Sequence, residues 1–153
     1  MTTIRRIEVA EAPLVRALYA EAGAEAAEKH PDDNIAISAA GLDNLETSFR
    51  VGAVHQDVVT LVAEEDGELV GYVNAEITRS GSLPGLAGEI HELWTRAGNA
   101  EARRELAEEA LRELRERGAG PIFHYEDVDH PDREPWTDLG FVPDTVRYAL
   151  YRE

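Results

Sequence analysis

Glu89 and His91 stand two residues apart in the run GEIHELW (88–94), whose composition predicts a β-strand. Residues two apart project from one face of a strand, so a carboxylate and an imidazole sit side by side there, a pairing that can pass a proton. By the same alternation Glu92 is expected on the opposite face. A second concentration of ionisable groups, HYEDVDHPD, carries His124, Asp127, Asp129, His130 and Asp132. Its spacing matches no standard zinc or calcium loop, so no metal site is expected; these residues fit the lining of an acceptor pocket better. Arg96, Arg103 and Arg104 follow the strand and are able to meet anions, whereas Glu101 between them opposes one.

Composition narrows the chemistry further. The chain has no cysteine, which excludes disulfides, thiolate metal sites and a thiol nucleophile. Acidic residues outnumber basic ones 31 to 15 and the formal charge is −16, which repels nucleic acid and anionic lipid and favours cationic partners. Lys29 is the only lysine, the remaining basic residues being arginine, and solubility accounts for the charge more simply than any site does. No apolar stretch approaches membrane-spanning length and no apolar segment follows Arg5 and Arg6, so a cytoplasmic protein is expected.

These residues need a scaffold, and 153 residues with 43% hydrophobic side chains are ample for one domain covering 1–153. A short strand is expected over 3–8, then a helix entered at Pro13 with Leu14, Val15, Leu18 and Tyr19 on its core face. The stretch HPDDN (30–34) is a turn, and Leu42, Leu45 and Phe49 mark a second helix. VVTLVAEE and ELVGYVNAEI are strands joined by Asp66-Gly67, a strong hairpin signal. A glycine-rich loop over 80–88 precedes GEIHELW. The helix after it has Leu106, Ala107, Ala110, Leu111 and Leu114 as its apolar face, with Asn99 as N-cap and Gly118 as C-terminal cap. A strand over 121–127, a short helix around 133–139 and a strand over 145–151 complete the order β–α–α–β–β–β–α–β–α–β.

That order, together with EEDGELVGYV (64–73), EIHELW (89–94) before a helix ending RERGAG (115–120), and LGFVPDTVRYALYR (139–152), resembles the GNAT superfamily of acyl-CoA-dependent N-acetyltransferases. The resemblance spans nearly the whole chain. It implies an α/β (α+β) fold: a mixed, mostly antiparallel twisted sheet with a splayed central strand pair and helices on both faces. It also implies acetyl-CoA as cofactor, with its pantetheine arm in the splay and its pyrophosphate at the N-terminus of the following helix, where free N–H groups and the helix dipole favour an anion. On this chain the positions concerned are Trp94, Thr95, Arg96, Gly98, Asn99, Arg103 and Arg104.

The chain departs from the pattern in two places. The family's glycine-rich phosphate signature is absent from TRAGNAEARR, where Gly98 is the one glycine and the connection is about two residues short. Trp136 occupies the position, four residues before Gly140-Phe141, where many members carry a tyrosine that protonates the departing thiolate. An indole N–H donates a hydrogen bond but is no acid near neutrality, so Tyr125, Tyr148 and Tyr151 are the phenols available, although aromatics in strands chiefly pack. For the base, Glu89 matches a glutamate of histone-acetylating members, and Glu89 with His91 matches a histidine pair of an arylalkylamine-acetylating member.

The resemblance thus implies acetyl transfer to a primary amine of a small, cationic molecule, with Glu89, His91 and Tyr125 as catalytic candidates and a homodimer as the usual assembly. Two other readings stand beside it. The fold could persist in a small-molecule or partner-binding protein that has lost acetyl transfer, or its pocket could serve a different, non-acetylating reaction on a specialised metabolite.

Overall fold

A computed structural model describes residues 1–31, 38–79, 84–126, 136–145 and 148. Five strands, β1 (Thr3–Arg6), β2 (Val58–Glu65), β3 (Glu68–Thr78), β4 (Leu86–Thr95) and β5 (Ala119–His124), form one sheet in the order β1-β2-β3-β4-β5. The first four pair antiparallel and β4 pairs with β5 in parallel, so the sheet is mixed and mostly antiparallel as expected. Helices α1 (Ala12–Lys29) and α2 (Ala39–Gly52) join β1 to β2, and α3 (Ala100–Glu116) crosses from β4 to β5.

The hairpin is made as its residues dictate. Asp66 and Gly67 take φ of 50° and 81°, the two positive values a two-residue turn needs to match strand twist. Each sheet face then buries its own cluster. On one side Val59, Leu61, Val73 and Ile90 meet Ala102, Leu106, Ala110 and Leu114 of α3; on the other Val62 and Tyr72 meet Val15, Leu18 and Phe49 of α1 and α2. Buried leucines of this kind each contribute about 1.5–3 kcal/mol. The outer face of α3 is laced by Arg104–Glu108, Arg112–Glu116 and Arg117–Glu113 pairs at i,i+4 spacing.

Several expectations shift. Leu14 is 54% exposed, because the buried stripe of α1 runs through Ala12, Val15 and Leu18 and leaves Leu14 on its flank. The parallel strand β5 covers 119–124 instead of 121–127, since its pairing with β4 ends at Ile90↔His124. Trp136 to Gly140 form hydrogen-bonded turns, with Leu139 and Phe141 N–H both donating to the Trp136 carbonyl. The start of the helix expected there, and all but Thr145 and Tyr148 of the strand expected over 145–151, lie outside the described residues; neither Thr145 nor Tyr148 is in a strand.

Candidate functional site

A β-bulge decides which side chains of β4 meet. Asn74 pairs with Glu92 and the next residue, Ala75, with Ile90, so His91 is the extra residue. The bulge interrupts strict alternation. Glu89, three residues before Glu92, therefore shares its face, contrary to the expectation that Glu92 projects the other way. That face is the one covered by α1 and α2. Tyr72 is buried there, and its hydroxyl donates to Glu92 Oε2 at 3.1 Å. Asn74 and Glu76 follow Tyr72 at two-residue steps on the same face, and Glu76 pairs with Glu89 across the ladder.

Glu92 is the perturbed member of the group. Burial raises its carboxyl from the ordinary value, against the lowering effect of hydrogen bonds from Tyr72 and Tyr19. The phenols respond in kind: Tyr19 is pushed up to about 12 and Tyr72 is raised further, by burial first and by the Glu92 charge second. Among the described residues no arginine or lysine forms an ion pair with Glu92. Strict alternation places this residue on the other face from Glu89, which hid its role from sequence reasoning.

The predicted pair does come together. His91 Nδ1 lies 3.5 Å from Glu89 Oε1 and its Nε2 lies 2.9 Å from Glu76 Oε1, all at the partly exposed rim of the same face. Glu76, Glu89 and His91 bring three possible ligand atoms within 4.8 Å of one another, the residues best placed to hold a metal among those described. Tyr125 follows β5 and is 59% exposed; Tyr148 is more exposed still, and Tyr151 lies outside the described residues. Of the His/Asp segment only His124, Tyr125 and Glu126 are described.

At the exit of β4 the candidate cofactor residues are engaged with the protein itself. Trp94 packs on the α1 side and donates to Glu25 at 3.2 Å. Thr95 donates to the Asn99 carbonyl, and Arg96 grips Glu21 through two bonds of 3.0 and 3.1 Å. Asn99 caps α3 by accepting from the Ala102 N–H and donates to Glu65 at 2.8 Å. Arg104 pairs with Glu108, and Arg103 lies near enough to Glu25 to lower it electrostatically.

Two features still fit an acyl-CoA. From His91 to Thr95 the outer edge of β4 has no strand partner among the described residues, which leaves backbone groups for the amides of a pantetheine arm. Gly98 takes φ of 84° with open space where a Cβ would stand, just before the first turn of α3. The Ala100 and Glu101 N–H groups of that turn have no acceptor among the described residues, as at any helix start whose cap reaches only the third amide.

No protein-family sequence profile matches the chain, and no curated protein matches it significantly in sequence. Solved structures do match in fold. Glucosamine-6-phosphate N-acetyltransferase from Arabidopsis thaliana superposes with a TM-score of 0.71 at 14% identity, over 100% of this chain and 99% of that one. A ribosomal-protein-alanine N-acetyltransferase from Brucella melitensis gives 0.67 at 15%, over 99% and 100%. A predicted acetyltransferase with acetyl-CoA from Clostridium acetobutylicum gives 0.74 at 17%, over 99% and 96%. The chain has the GNAT fold.

Proposed function

We propose that the protein is an acyl-CoA-dependent N-acyltransferase acting on a primary amine of a small, cationic molecule. The observation that carries this reading is Glu92: a carboxylate raised by burial, held by Tyr19 and Tyr72, beside the unpaired edge of β4. When bound, the acyl-CoA supplies an acyl group activated as a thioester. The open edge over 91–95 and the amides of Ala100 and Glu101 are the groups of this chain suited to hold it.

An amine arrives as an ammonium and must lose a proton before its lone pair can attack. A carboxylate whose affinity for protons has been raised towards neutrality takes that proton more readily than an ordinary one. Glu92 is therefore the base in this reading. Glu76 and Glu89 form an acidic rim on the same face that attracts a cation, and His91 between them offers a relay to solvent. That several solved structures sharing the fold are acetyltransferases supports acyl transfer without naming the acceptor.

The ion-paired turn, with Arg96 engaged by Glu21, favours a second reading: a protein that keeps the fold and binds a small molecule without transferring acetyl. Calorimetric titration with acetyl-CoA, with free CoA as control, separates the two. Saturable binding is expected in the micromolar range, typical of substrates. Absence of saturation at millimolar acetyl-CoA would remove the transferase reading.

A further inference from the structure

We propose that His124 is the acid that protonates the departing sulfur, a role that rests on the transferase reading above. His124 is the last residue of β5 and stands where β4 and β5 part, its Nδ1 2.8 Å from the carbonyl of Ile90. A carbonyl can only accept, so Nδ1 carries a hydrogen and Nε2 is the nitrogen that exchanges a proton. Nε2 lies 3.1 Å from Glu126 Oε1. The same oxygen accepts the Trp136 indole N–H at 2.8 Å, and an indole N–H can only donate. Two nitrogens, one of the imidazole and one of the indole, thus converge on one carboxylate oxygen.

Trp136 fixes the ring as well as the carboxylate. The two rings stack at 3.9 Å between centroids and 25° between planes, and Phe141 closes on the indole edge-on at 5.4 Å. The histidine side chain is 10% exposed, and Glu126 is the one charged group that bonds to it among the described residues. The imidazole thus sits, oriented and mostly shielded, where the pairing of the two strands ends. The tryptophan that is itself no acid instead positions one.

The step balances without further reactants. Glu92 first passes the ammonium's proton on to solvent; the neutral amine nitrogen then forms a bond to the acyl carbon and gives its second proton to Glu92. The carbon–sulfur bond breaks with its electron pair going to sulfur, and His124 Nε2 gives sulfur a proton. His124 is then neutral and Glu92 protonated; exchange with solvent restores both. The products are the amide and free CoA thiol.

The test uses the full chain and its His124→Gln variant, in which an amide can still reach Ile90 and Glu126 but supplies no exchangeable acid. Free CoA is titrated with pH in complex with each protein, and its thiolate is followed by ultraviolet absorbance. The wild-type complex is expected to ionise the thiol at lower pH than the His124→Gln complex does, because an imidazolium beside sulfur favours the thiolate. Turnover is expected to fall about 10²-fold with acetyl-CoA and markedly less with an acetyl thioester of an acidic aromatic thiol, whose sulfur leaves without a proton. Equal thiol ionisation in the two complexes, or an equal loss with both donors, overturns the proposal and leaves the transferase reading standing. Failure of the wild type to bind CoA overturns both. Should His124→Gln not fold, Glu126→Gln keeps the imidazole, removes its anion, and is expected to lose the thiol shift in the same direction.

Discussion

The middle of β4 and its exit treat charge in opposite ways. At the bulge, Glu92 is half-buried against two phenols with no arginine or lysine paired to it among the described residues, and loss of solvent raises its carboxyl. At the exit, Arg96 is matched by Glu21 and Glu68, and Glu25 by Lys29, all near solvent. A chain under selection for stability alone would place its carboxylates as the exit does, where pairing lowers Glu21 and Glu25. A carboxylate kept where it costs stability is the arrangement expected of a working site.

Replacing Glu92 tests the contrast most strongly. With Glu92→Gln the rate of acetyl transfer at neutral pH is expected to fall by about 10²- to 10³-fold, the range of a lost general base. Stability is expected to move the other way. A carboxyl whose folded value is raised contributes stability that is fully present below its unfolded value and lost as pH rises through the folded one. The neutral amide escapes that loss. Thermal melting should therefore show the variant more stable than wild type at pH 7, with the difference closing in acid. A variant less stable at pH 7 and undiminished in rate would make Glu92 a structural residue.

Tyr72→Phe sharpens the same point with a smaller effect. The Tyr72 hydroxyl lowers Glu92 against the pull of burial, so its removal raises the carboxyl further. The acid limb of the pH–rate profile is expected to move to higher pH, with the plateau rate changed by less than about tenfold. Movement to lower pH would show that a different group governs that limb.

Most of the scaffold could be read from residues. Asp66-Gly67 predicts its own turn, the apolar stripe of α3 predicts its buried face, and Asn99 is an N-cap by type and by bond. The site was less legible for a definite reason. Strand alternation is a rule of period two, and the bulge at His91 inserts one residue into it, bringing Glu92 to the face of Glu89. Nothing in GEIHELW announces that insertion. His124 and Trp136 were each visible, but they are 12 residues apart in the chain and no local pattern encodes their stacking. Arg96 was equally visible as a cation, while its partner Glu21 lies 75 residues away on α1.

Arg96→Ala is expected to have the smallest effect and to carry the opposite pH signature from Glu92. Its guanidinium is held by Glu21 at 3.0 Å and stands 3.8 Å from Glu68, in a partly exposed setting where such pairs contribute about 0.2–1 kcal/mol. Arg96 lowers the Glu21 carboxyl, and a lowered carboxyl contributes stability present above its unfolded value and lost as pH falls through the folded one. The variant should therefore be slightly less stable than wild type at neutral pH, with the difference fading in acid and shrinking with added salt. Affinity for acetyl-CoA, measured by the same titration, should change by less than about threefold, because a guanidinium already bidentate on a carboxylate gives up that pairing to reach a phosphate. A tenfold loss of affinity would mean that Arg96 does leave Glu21 for the cofactor, and the exit of β4 would then be a binding site held closed by its own ion pair.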